Sequence, residues 1–206
     1  DLCHQNGIEI ILDLAINHSF GRNPLVRMWM NDPDKDGWGE PSSENPYFNT
    51  VPAHTYSVGY DFNHQNLVTQ EYTKQVIKYW IEEFKIDGIR WDLTKGFTQN
   101  CNKNDYKCTD SYQQDRVDIL KMYADYSWLI DPSHYVIFEH LGSDQEEREW
   151  ANYRTDEGKG VMLWGQMTNQ FNQLTMGFEE NSSISRMNHR SRGFVQKRLI
   201  SYAESH

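Results

Sequence analysis

Residues 69–92 read TQEYTKQVIKYWIEEFKIDGIRWD, and this stretch decides the class of fold. Its first part sets Val76, Ile77, Trp80, Ile81 and Phe84 on one stripe at helical spacing, with Thr69 and Glu71 at the start. Its second part, IDGIRWD (86–92), loses that period and ends in charged residues, as a strand buried on both faces does. Helix therefore feeds strand. The same kind of strand recurs at IEIILDLAINH (8–18), HYVIFE (134–139), GVMLW (160–164) and LISYAES (199–205). A second helix is predicted over DSYQQDRVDILKMYADYSWLI (110–130), with Val117, Leu120, Tyr123 and Ile130 among its apolar positions and Pro132 beyond its end. Strands alternating with helices imply an α/β fold with a parallel sheet of five strands.

One interval breaks the alternation. From Asn17 to about Val68 the chain is rich in Pro, Gly, Asn and Asp without helical period, which reads as an insertion subdomain over about 19–58. Its 206 residues fit one domain and fall short of the roughly 250 of an eight-unit α/β barrel. With 14% aromatic and 24% charged residues the composition is that of a globular protein. A formal net charge of −10 opposes phosphate backbones, which argues against nucleic acid or anionic lipid and favours a neutral, hydroxyl-rich or cationic ligand. No run approaches the roughly 18 apolar residues of a membrane span, and no signal peptide opens the sequence. DLCHQNG (1–7) reads as the last turn of a helix, so the start looks cut from something longer. Cys101 and Cys108 bracket a polar loop and are read either as free thiols or as a disulfide of an oxidising compartment.

In a parallel α/β fold the chemistry sits at the carboxyl ends of the strands. Those ends carry Asp13, Asn17 and His18, then Arg90 and Asp92, then Glu139 and His140, then Glu204, Ser205 and His206. Arg90 and Asp92 are two apart and face the same way, and a guanidinium beside a carboxylate favours its charged form, which suits a nucleophile. Glu139 follows the apolar run YVIF, where desolvation favours the protonated form of a general acid. Singly, such carboxyls are more often caps or ion-pair partners. Together, two carboxyls with separated pKa values are what glycoside hydrolysis requires.

DLAINH (13–18), GIRWDLTKG (88–96), VIFEHLG (136–142) and YAESH (202–206) resemble, in order, the four motifs of the alpha-amylase family of retaining glycoside hydrolases. GYDFNHQN (59–66), GFTQN (96–100) and MLWGQM (162–167) extend the resemblance over the whole chain. It implies a partial (β/α)8 TIM barrel, about strands three to seven, with the insertion after the third strand. It implies Asp92 as nucleophile and Glu139 as acid and base, with His18, Arg90, Lys95 and His206 contacting an α-glucan and Asp13 holding Arg90. It also implies an enzyme that is secreted, periplasmic or at the cell surface. Three departures stand out: the motif's Asp after the final His lies beyond His206, so the chain as given is expected to be inactive or nearly so; Ser205 replaces a usual Asn; and Gly96 replaces a common His.

DPDKDGWGE (32–40) sets Asp32, Asp34 and Asp36 at alternate positions before Gly37, like the first half of a calcium loop, though an acidic solvated turn explains it equally. Asn17 is a second expected calcium ligand, by the resemblance. Trp38, Tyr47, Tyr60 and Trp164 are candidate sugar platforms, whereas Trp80, Trp128 and Trp150 lie in helices and read as core. The expected function is hydrolysis of α-1,4-glucosidic bonds with retention. The alternatives are a transglycosylase or branching enzyme of the same family, and a non-catalytic glucan-binding relative.

Overall fold

The computed structural model describes residues 2–204. Among them the strands are β1 (Ile11–Leu14), β2 (His18–Ser19), β3 (Met30–Asn31), β4 (Glu40–Pro41), β5 (Tyr60–Asp61), β6 (Gly88–Trp91), β7 (Tyr135–Phe138), β8 (Met162–Gln166) and β9 (Leu199–Tyr202). The helices are α1 (Leu2–Gln5), α2 (Pro24–Arg27), α3 (Leu67–Phe84), α4 (Tyr106–Asp110), α5 (Gln114–Ile130), α6 (Asp144–Ala151) and α7 (Thr168–Thr175). Five strands form one sheet in the order β1-β6-β7-β8-β9, every pairing parallel, with a helix before each strand after the first. The five predicted strands are these five.

The predicted helices pack as their stripes require. α3 starts where the Asn66 side chain accepts from Val68 N at 2.9 Å and stops at Lys85, whose left-handed φ of 54° ends the helical ladder. It buries Thr69, Thr73, Ile77 and Ile81, while Phe84 stays 53% exposed. α5 buries Val117, Leu120, Tyr123 and Trp128 on the same side of the sheet, where α3 and α5 pack together. Trp91 stacks on Tyr123 at 5.3 Å, and Phe97 stacks on His64 at 4.0 Å. Each such fully buried apolar side chain contributes about 1.5–3 kcal/mol by leaving water.

Two expectations change, and helix α6 had no counterpart among the predicted elements. The run 8–18 is not one doubly buried strand: only 11–14 joins the sheet, alternating exposed and half-buried because β1 is an edge among the described residues. His18 leaves it to pair with Asp61 in the antiparallel β2–β5 ladder. The segment 110–130 is two helices, broken at Ser111, where the buried Arg116 takes the carbonyls of Thr109 (2.9 Å) and Ser111 (2.8 Å) in place of helical N–H groups. α6 carried no apolar period because half its buried residues are Glu146 and Glu147; Ser143 caps it and three acidic residues fill its first turn. Within 19–58 lie α2, capped by Asn23 with Pro24 at its first turn, and the β3–β4 ladder. Cys101 and Cys108 form a disulfide, and Cys3 is free. Among the described residues no helix is long and apolar enough to cross a membrane.

Candidate active site

The register sets Asp13 opposite Arg90 and Leu14 opposite Trp91, so the polar ends of β1 and β6 meet. Arg90 is 4% exposed. Its Nη1 donates to Asp13 Oδ1 at 2.8 Å and to Asp92 Oδ1 at 2.6 Å, and its Nη2 pairs with Glu139 Oε2 at 2.9 Å. The guanidinium carbon lies 4.0 Å from the ring centroid of Trp164, in the middle of β8. One cation thus gathers three carboxylates from three strands and rests on an indole face.

The two carboxyls expected to do chemistry differ in surroundings. Glu139, at the end of β7, accepts from Leu93 N at 3.0 Å. Burial raises its pKa, and the neighbouring Asp92 adds to the rise; the Leu93 N–H and Arg90 only partly oppose it. Asp92 is held from a second side by Asn17, whose Nδ2 donates to Asp92 O at 2.8 Å and to Oδ2 at 3.2 Å. Asn17 Oδ1 lies 2.6 Å from His18 Nδ1. Burial holds His18 below the usual imidazole range despite the Asp92 charge, so it stands neutral, able to hydrogen-bond a hydroxyl. Asp13, Asn17, His18, Arg90, Asp92 and Glu139 therefore form one constellation.

Lys95 is tied down instead of reaching outward. Its Nζ donates to Asp110 Oδ1 at 2.9 Å and lies 4.3 Å from the Tyr56 ring centroid. Gly96 next to it has a structural reason: a Cβ there would meet His54 Nε2 at 3.0 Å and Asn17 Cβ at 3.2 Å. His54 comes from the insertion, is fully buried, and faces Asp61 Oδ1 at 3.1 Å. The space a histidine at position 96 would use is filled from another segment.

A buried set joins the loops after β6 and β7, and of its members only His140 stood out in the sequence. Arg116 donates to Glu146 through three contacts of 2.8–3.0 Å, Glu146 Oε2 faces His140 Nε2 at 2.8 Å, and His140 Nδ1 lies 3.2 Å from Thr94 Oγ1. Thr94 N and Oγ1 reach the Glu139 carbonyl at 3.0 and 3.1 Å. The signal available was His140 and Glu146 in EHLGSDQE, six apart on either side of a Gly. Leu93 and Leu141, one residue after Asp92 and two after Glu139, hold positive φ of 45° and 51°.

Other expected residues fall elsewhere. His206 lies outside the described residues. Of the expected calcium ligands, Asn17 bonds Asp92 and His18, while Asp32 accepts from Asp36 N and Gly37 N and Asp36 from Trp38 N. Among the described residues no three His, Cys, Asp or Glu side chains group to hold a metal. Of the sugar platforms, Tyr47 packs into the core against Trp29 and Tyr72, and Trp38 carries Arg22 on its ring. Trp164 lines a cavity of about 210 Å³ beside the site, with Gln166, Glu147 and Arg192. Trp128 and Trp150 are buried and Trp80 packs against the core, as expected.

No family model matches the chain. It is 32% identical over 105 residues, 45% of its length, to maltogenic alpha-amylase of Bacillus acidopullulyticus, of which it covers 17%. It is 24% identical over 98% of its length to the glycogen operon protein GlgX homolog of Haemophilus influenzae, of which it covers 31%. A solved cyclomaltodextrinase superposes on 99% of the chain with a TM-score of 0.62 at 16% identity, the chain spanning 33% of it. A pullulanase of Bacillus subtilis solved with maltose superposes on 83% with a TM-score of 0.50 at 17% identity, the chain spanning 20% of it. The fold is thus shared with solved alpha-amylase-family barrels, and the five-stranded parallel sheet is part of such a (β/α)8 barrel. The chain spans less than a third of each of these relatives.

Proposed function

We propose, for a chain whose homologues are members of the alpha-amylase family of glycoside hydrolases, that it carries the cleavage site of an enzyme hydrolysing α-1,4-glucosidic bonds in starch-like glucans with retention. The observation that carries this reading is the shared guanidinium: Arg90 fixes Asp92 and Glu139 together, while burial lets Glu139 keep a proton. Asp92 attacks the anomeric carbon as the glycosidic C–O bond breaks, and Glu139 gives its proton to the departing oxygen. Glu139, now a carboxylate, takes a proton from the water that attacks the glycosyl ester and frees Asp92. Neutral His18 is suited to bond a hydroxyl of the bound sugar, and Asp13 keeps Arg90 in place. Asn17 and, separately, Asp32, Asp34 and Asp36 are candidate ligands of a structural calcium ion, which takes no part in these steps.

A second reading has specific support. Relatives at 30% and 33% identity are named isoamylase SU1 of Zea mays and glycogen debranching enzyme of an Enterobacter species, so a debranching specificity is the main rival. A transglycosylase or branching enzyme would share the same two carboxyls.

The natural full-length protein is the material for the test, with proton NMR of products from maltoheptaose and from a branched glucan. Shorter oligosaccharides with new α-anomers are expected, and Asp92→Asn should lower turnover by about three orders of magnitude or more while sparing glucan binding. Cleavage of the branched glucan alone would favour debranching. Longer products would favour transfer, and binding without reaction would favour a non-catalytic relative. Asp92→Asn activity within about tenfold of the parent would overturn the nucleophile assignment.

A further inference from the structure

Two leucines next to the candidate carboxylates sit in a backbone region that costs a non-glycine residue on the order of 1 kcal/mol or more. Leu93 at φ 45° turns its N–H onto Glu139 Oε2 at 3.0 Å, and Leu141 at φ 51° turns the chain after β7. Such conformations persist only where surrounding groups over-determine them. The surrounding groups here are Arg116, Glu146, His140 and Thr94, each at most 1% exposed.

Arg116 reaches both loops. Its Nη1 also donates to the carbonyl of Lys95, on the loop after β6, at 3.0 Å, while its partner Glu146 belongs to α6, after β7. His140 bridges between them from Glu146 to Thr94 and packs edge-on against Trp150 at 4.8 Å. Gly142 makes room for that ring, since a Cβ there would lie 2.7 Å from His140 Nε2. Burial holds His140 down at about 4, so its neutral ring offers one N–H and one lone pair to two fixed neighbours. Glu146 has its burial offset by His140 and Arg116 and by the Gln113 N–H at 3.0 Å. A buried ion pair of this kind adds little net stability compared with apolar packing, so fixing geometry is the use left for it.

We propose that Arg116, Glu146, His140 and Thr94 are positioning residues that fix the Glu139 main chain, and with it the Leu93 N–H, so that the Glu139 carboxyl points at the departing oxygen. This deepens the hydrolase reading and rests on it. At 1% exposure or less, the set offers a substrate almost no surface. Its loss should slow the step that needs Glu139's proton and leave substrate binding alone.

The test compares maltoheptaose, whose leaving group needs that proton, with α-maltosyl fluoride, whose fluoride leaves with far less help, in the full-length protein. Glu146→Gln and the milder Thr94→Val should each lower kcat/KM on maltoheptaose about tenfold or more, with glucan binding within about twofold and kcat/KM on the fluoride, which reports the first displacement alone, within about threefold. Thr94→Ser, which keeps the hydroxyl, should restore most of the loss. Equal losses on both substrates, no loss on either, or a Thr94→Ser no better than Thr94→Val would overturn the positioning role. An unsubstituted protein that cleaves neither substrate would overturn the hydrolase reading itself, and the positioning role with it.

Discussion

Arg90 is the residue on which the site turns, because its two Nη atoms reach Asp13, Asp92 and Glu139 at once. The pairing of Arg90 with Asp92 was legible in the sequence, since alternate residues of a strand share a face. The elevation of Glu139 was legible too, from the apolar run before it. What could not be read was its second cause, the Asp92 charge, because two strands must first be brought side by side. That cause has a measurable sign. Asp92→Asn removes a neighbouring negative charge that favours the protonated form, so the Glu139 titration midpoint should fall. Carbon-13 NMR of glutamate-labelled protein, with Glu139→Gln to assign the signal, would read it. An unchanged or higher midpoint would mean that burial alone sets the value.

Elements differ in how well they announced themselves. α3 and the buried part of α5 follow apolar stripes, whereas α6 hides its core face behind Glu146 and Glu147, whose partners Arg116 and Arg192 lie elsewhere in the chain. The segment Thr94–Phe97 shows the same limit. Gly96 looked like a missing histidine in sequence, and the occupant of its space, His54, belongs to a stretch with no period to read. Gly96→Ala should therefore cost about 1–3 kcal/mol through overpacking, seen as a lower melting temperature. The same change in a His54→Ala background should cost clearly less, and equal costs in both backgrounds would show that His54 is not the obstacle.

At the scale of the whole molecule, three of the buried histidines contribute to its response to acid. Burial lowers His64, His134 and His140 from 6.5 to about 4. Between those limits the unfolded chain takes up protons that the folded chain refuses, so their share of stability is complete above about pH 6.5 and is lost as pH falls toward 4. Each contributes a slope of up to about 1.4 kcal/mol per pH unit. Urea midpoints from pH 7.5 to 4.5 should fall accordingly, and His134→Gln should flatten the fall by about a third, since the two ring nitrogens of His134 have no hydrogen-bond partner among the described residues to lose. An identical slope in the variant would remove His134 from the account.

The pairing of β1 with β6 also sets an order of events during synthesis. Ile11–Leu14 emerges before its partner in the described sheet, Gly88–Trp91, which follows only after the insertion and all of α3. Until then Asp13 has no Arg90 and Asn17 no Asp92 to hold. The insertion can close its own short ladders in the meantime, since β2 with β5 and β3 with β4 join nearer neighbours. The end of the sheet that carries the candidate site therefore waits on a long-range contact that is slow to find.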